Sequence, residues 1–109
     1  MTLRTLVLLF LFFAPYLAEA QYFNYLQWSV LPPIPRAAYI AGVFDSLTGY
    51  SANDVESKHY FICIERAAMK NTQLAENVVQ FASTRPALQT SSVQKVLLQY
   101  LIAACGKPN

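Results

Sequence analysis

Apolar residues recur at spacings of three and four along most of this chain, which predicts helices. Between Arg36 and Thr48, residues Tyr39, Ile40, Val43, Phe44 and Leu47 fall on one stripe, the pattern of a helix that buries one face. Gly42 lies inside that helix. It costs about 1 kcal/mol relative to alanine there, which makes sense where a second helix passes close. Gly49 is placed to end the helix. A second segment, opened by Asn71 or Thr72 as the cap, carries Leu74, Val78 and Phe81, flanked by Ala75, Val79 and Ala82. Glu76 comes early enough to favour the helix's positive end, and Arg85-Pro86 stops it, because a residue before proline resists helical angles. In the last segment Ser91-x-x-Gln94 matches a capping box. Val93, Val96, Leu97, Tyr100, Leu101 and Ala104 then mark one face, and Gly106 and Pro108 end it.

The segments between are less regular. Gln21 to Val30 is short and aromatic, with Tyr22, Phe23, Tyr25, Leu26 and Trp28, and reads as one short helix or a turn-like arm. Leu31-Pro32-Pro33-Ile34-Pro35 predicts an extended, stiff connector, with Pro35 able to serve as the first residue of the helix that follows. Tyr50 to Lys58 is polar and reads as a loop with at most a helical turn. His59 to Met69 returns to apolar residues and fits a short helix that includes Cys63. No segment supplies partners for a sheet. The predicted fold is all-α: a small bundle of four or five short helices.

The first twenty residues read differently. Arg4 precedes an unbroken apolar run from Leu6 to Phe13, and Ala18-Glu19-Ala20 fits a small-x-small cleavage site before Gln21. The run falls short of the ~20 residues that span a bilayer, so residues 1–20 read as a cleaved signal peptide rather than a retained anchor, with the cut between Ala20 and Gln21. Residues 21–109 then form a single domain. Its two cysteines, Cys63 and Cys105, have no third thiol to compete and should pair in an oxidising compartment. A bridge between cysteines 42 residues apart adds roughly 4 kcal/mol in the chain-entropy description, a large share for so small a core.

Charge narrows the function. The net charge is +2, and loss of Arg4 with Glu19 leaves it unchanged. The charges are scattered, without the basic stripe that nucleic acid needs, and after the signal no segment is apolar enough to hold a membrane. Catalysis needs convergent titratable groups. His59 follows Ser57 and Lys58, but neighbours in sequence rarely form a relay and Asp45 is a remote orienter; a histidine in a loop near a helix start is the simpler account. One histidine and a distant cysteine pair make no zinc site, no glycine-rich phosphate loop is present, and CxxC spacing is absent. The chain therefore reads as a non-enzyme with no cofactor and no metal, carrying a structural bridge. Phe44, Phe61, Phe81 and Tyr100 sit at core spacing. The aromatic cluster from Tyr22 to Trp28 either folds over the bundle as a lid or forms a partner patch, and a bundle this small favours the lid.

Tyr39-Ile40-Ala41-Gly42-Val43-Phe44-Asp45, then Cys63-Ile64, Thr72-Gln73-Leu74, Val78-Val79, Phe81, Pro86, Val96-Leu97 and Cys105 follow one another in an order that resembles the Rap/Tai-type immunity proteins of type VI secretion systems. The resemblance implies a small helical periplasmic or secreted protein that binds and blocks a peptidoglycan-cleaving amidase effector, often as a homodimer. On this reading the polar residues Ser51, Asn53, Asp54, Glu56 and Lys58 would enter the partner's cleft. The alternative is a periplasmic stress chaperone of the acid-resistance kind, with no effector partner; its carboxylates are few for an acid trigger.

Overall fold

In a computed structural model the chain is all-helical over the described residues, 23–49 and 54–109. Five α-helices follow in order: α1 (Tyr25–Ser29), α2 (Pro33–Thr48), α3 (Val55–Arg66), α4 (Asn71–Ser83) and α5 (Val93–Cys105), with a 3-10 turn at Pro86–Leu88 between the last two. The predicted fold class is the one observed, and Cys63 and Cys105 form its disulfide. The proposed cleavage point between Ala20 and Gln21 lies outside the described residues, as do Tyr22, Ser51 and Asn53.

The core is assembled around α5, whose Val93, Val96, Leu97 and Leu101 are fully buried together with Trp28, Ile40 and Val78. Tyr100 is buried as expected, but Ala104 is exposed: the last turn of α5 runs beyond the packed part of its stripe. α2 lies most extensively on α4, where the small buried residues Ala75 and Ala82 leave room for it. On α2 itself only Ala37 and Ile40 are buried, with Tyr39, Val43, Phe44 and Leu47 half-buried around them. Phe61 is 46% exposed, which corrects its placement in the core. Apolar residues lie on more than one side of α3, and Tyr60 and Ile64 face inward instead.

The proline run does not form a connector. α2 begins at Pro33, with extended Pro32 as its N-cap. The first N–H groups of a helix have no internal partner, so Pro33 and Pro35 remove nothing the helix uses. The first amide of this turn to find a partner is that of Arg36, which donates to the Pro32 carbonyl at 2.9 Å.

Caps differ by one or two positions elsewhere. Ser92, not Ser91, caps α5, its hydroxyl accepting from the Lys95 N–H at 3.2 Å. Ser91 instead offers its carbonyl to the Tyr25 N–H at 2.8 Å, part of the isolated bridge between Asn24 and Ser92 that fixes α1 to the head of α5. α4 starts after Lys70 with no side-chain cap, so Asn71 and Thr72 are already helical. Gly49 ends α2 as expected. Its N–H donates to the Asp45 carbonyl at 2.8 Å, and an added Cβ would lie 2.9 Å from that oxygen. Gly106 ends α5 at φ +75° and ψ 167°, a conformation open only to glycine.

The aromatic arm is a lid that has become core. Trp28 is fully buried and Tyr25 nearly so. Asn24 and Gln27 close a reciprocal capping box at the start of α1, and Phe23 packs edge-on against Tyr39 with ring centres 5.2 Å apart.

Candidate functional site

The polar stretch expected as a loop is helical from Val55 onward, so Glu56, Ser57 and Lys58 occupy the first turn of α3. Asp54 makes that turn possible. Its side chain accepts from the Glu56 N–H at 3.1 Å, a donor that a helix start leaves orphaned, and from the Ser57 hydroxyl at 2.8 Å. These two bonds, the hydroxyl's first and then the amide's, hold the Asp54 carboxyl below the usual carboxylate range. The Ser57 hydroxyl also reaches the Leu47 carbonyl at 2.8 Å. Its one hydrogen thus serves two acceptors, joining the head of α3 to the end of α2.

Asp54, Glu56 and Lys58 are exposed on this turn, while Ser57 is buried beneath them. Val55, between the two carboxylates, is 64% exposed. Three of the five residues expected to meet a partner, Asp54, Glu56 and Lys58, are together at the start of α3.

α3 is held at its other end by the disulfide, whose two Cα atoms are 5.9 Å apart. His59 is the residue that sequence reasoning missed. It is not in a loop but in α3, where its Nε2 lies 3.1 Å from the Cys105 carbonyl and 2.9 Å from the Gly106 carbonyl. Two carbonyls can only accept, so Nε2 carries the hydrogen, and His59 caps the C-terminus of α5. The signal was present in the spacing: His59 is four residues before Cys63 and shares its helix face, so whatever Cys63 meets, His59 meets as well.

Two other surface features stand apart from this end. An open groove of about 590 Å³ runs between α2 and the head of α5, lined by Phe23, Tyr39, Gly42, Val43 and Val93 among others. Gly42 faces this groove with nothing within 4 Å of an added Cβ. The close helix contact expected there is absent, because α4 meets α2 on another face. At the α1–α2 corner Val30 and Ile34 are each 80% exposed, with Leu26 nearby in sequence also exposed.

Among the described residues no three His, Cys, Asp or Glu side chains lie close enough to share a metal ion, and no helix is long and apolar enough to cross a membrane. The bridge fits an oxidising compartment. No protein-family model, curated protein or solved structure matches the chain.

Proposed function

We propose that this chain is an exported binding protein of the type VI immunity kind, one that neutralises a peptidoglycan-cleaving amidase by occupying its active-site cleft. The observation that carries the proposal is the exposed first turn of α3. There Asp54, Val55, Glu56 and Lys58 stand on a helix anchored by a covalent bridge. Such a turn enters a cleft with little loss of conformational freedom, because its backbone is already ordered. The order of short motifs from Tyr39 to Cys105 supports the kinship, and the signal-like segment at residues 1–20 supports export to the periplasm or beyond. Inhibition in this scheme is by occlusion and needs no cofactor.

The test is inhibition of amidases from neighbouring strains by the purified, oxidised protein. Stoichiometric inhibition is expected, and a V55D/K58E variant should weaken it at least about tenfold, the scale of one hot-spot residue. Absence of binding to every such amidase, or full inhibition by the variant, would overturn the assignment of this turn.

A second reading, a periplasmic stress chaperone without an effector partner, draws on the α1–α2 corner. Val30 and Ile34 are apolar, largely exposed and flanked by uncharged residues from Gln21 to Pro35, a surface on which an unfolded client could dock. Suppression of client aggregation near pH 3 and not at neutral pH would favour this second function.

A further inference from the structure

We propose that α3 is a releasable flap whose docking depends on the Cys63–Cys105 bridge, so that a dithiol reductant frees it while the other four helices stay folded. The inference stands whether or not the first turn of α3 binds an amidase.

The distribution of burial separates α3 from the rest. Every large, fully buried side chain comes from elsewhere: Trp28 from α1, Ile40 from α2, Val78 from α4, and Val93, Val96, Leu97 and Leu101 from α5. α3 contributes Ser57, Tyr60 and Ile64 to the buried set, none of them among the fully buried side chains, and turns Val55 and Phe61 outward. Its seam with α2 and α5 opens to the surface at the head of α3, where a pocket of about 200 Å³ is lined by Leu47, Asp54, Glu56, Ser57, Tyr60 and Leu98. A seam open in this way forgoes part of the dispersion contact that close packing supplies.

Polar attachment is equally sparse. Among the described residues, α3 reaches other helices through only two side-chain hydrogen-bonding groups. Ser57 bonds to the Leu47 carbonyl, and His59 bonds to the carbonyls of Cys105 and Gly106. The second of these is not independent of the bridge, because its acceptors belong to Cys105 and to the residue after it. Once the sulfur–sulfur bond is open, the last turn of α5 and the face of α3 carrying His59 are no longer forced together.

The chemistry balances with one co-reactant, a dithiol. Its thiolate attacks one sulfur of the bridge and expels the other protein cysteine as a thiolate, leaving a mixed disulfide. The reductant's second thiolate then displaces the first cysteine. Two electrons and two protons pass to Cys63 and Cys105, which end as thiols, and the reductant ends as a disulfide. Both cysteines are half-buried, so the bridge is open to such an attack. The released state uncovers Tyr60, Ile64 and the apolar side chains of Leu47 and Leu98 beneath them.

Hydrogen exchange on the whole protein, oxidised and then reduced with a phosphine or dithiol, tests this directly. Protection over residues 55–66 should be lost almost completely, whereas residues 74–82 and 93–101 should keep slow exchange, falling only by the general loss that opening a cross-link of this loop length brings, about 1000-fold at most. The single tryptophan, Trp28, should keep its buried emission. A C63S/C105S variant should reproduce the reduced pattern without any reductant. An equal loss across all helices, a shift of Trp28 to solvent-exposed emission, or unchanged protection of α3 would each overturn the flap.

Discussion

The indole N–H of Trp28 donates to the main-chain carbonyl of Arg36 at 3.0 Å. Through this bond the short helix α1 is keyed to the first turn of α2, across the proline run that separates them. The Arg36 guanidinium tightens the same corner. One terminal nitrogen donates to the Ser29 carbonyl at 3.3 Å, and the other pairs with Glu76 of α4. Trp28 thus joins apolar burial to a directed polar contact at the point where three helices meet. W28A should cost about 3–5 kcal/mol, the range for deleting a buried aromatic. W28F keeps most of the apolar area but removes the donor, and should cost less, with about 1 kcal/mol of it from the lost hydrogen bond. Urea denaturation of the oxidised protein measures both. Equal losses would mean that the hydrogen bond, not the packing, holds the lid.

Ser91 and Ser92 offer a sharper contrast, because adjacent serines differ in role. Ser92 caps α5 through its side chain, whereas Ser91 contributes its backbone carbonyl to Tyr25. S92A should destabilise the protein by about 1 kcal/mol. S91A leaves that carbonyl in place and should change stability by less than about 0.5 kcal/mol. Thermal melts of the two variants suffice, and a reversed order would return the cap to Ser91.

How far the sequence could be read follows from such cases. The buried face of α5 was legible because Val93, Val96, Leu97, Tyr100 and Leu101 repeat at helical spacing and nothing else in the fold competes for them. The cap was misplaced by one residue because Ser91 and Ser92 both suit the position by type; only the backbone bridge to Asn24 distinguishes them. Pro33 and Pro35 misled for a different reason. Proline breaks a helix by lacking an N–H, but the first turn does not need one. Phe61 was misplaced because α3 packs on one side only and its apolar residues exceed what that side can bury. At the candidate site the cysteine pair was legible from number alone, since two thiols have one pairing. His59 was not, because its partners are main-chain carbonyls and carry no side-chain signature. Its spacing from Cys63 was the remaining clue.

Gly42 yields a prediction of gain. It lies within α2 facing an open groove, and beyond its chain neighbours and the backbone of its own helix nothing stands within 4 Å of the position an alanine methyl would take. Alanine is the better helix former by about 0.5–1 kcal/mol, chiefly through the unfolded chain's freedom. G42A should therefore raise stability by that amount, seen as a higher denaturation midpoint with an unchanged slope. A loss of stability would overturn the reading of Gly42 as an open helix position.

Two buried tyrosines yield a prediction for alkaline pH. Burial pushes the Tyr25 hydroxyl above its ordinary value, with the nearby charge of Arg36 opposing in part. Burial also raises Tyr60, helped by the negative charge of Glu56. A group whose value is higher folded than unfolded favours the fold while it keeps its proton. The stabilisation is complete below about pH 10, where the unfolded tyrosine is neutral, and is lost as pH climbs through the higher folded values. The melting temperature should fall steeply above about pH 10, and a Y25F/Y60F variant should flatten that fall. Equal alkaline slopes in the two proteins would assign the transition to other groups.

His59 provides the last and most local prediction. Its Nε2–H faces the final carbonyls of α5, where the helix dipole places negative character and no further amide follows to satisfy them. H59A leaves both carbonyls to water while the disulfide still holds α3 beside α5. The oxidised variant should lose about 1 kcal/mol, the net worth of a hydrogen bond of this kind. The loss should be concentrated at the end of α5, with exchange of the Gly106 amide, which donates to Ile102 at 2.9 Å, rising well before that of Leu97 or Leu101. In the reduced protein, where the bridge no longer holds the two helices together, the same substitution should make little further difference to α3, because undocking has already separated His59 from its acceptors. A large additional loss in the reduced state would show that His59 keeps α3 in place without the bridge.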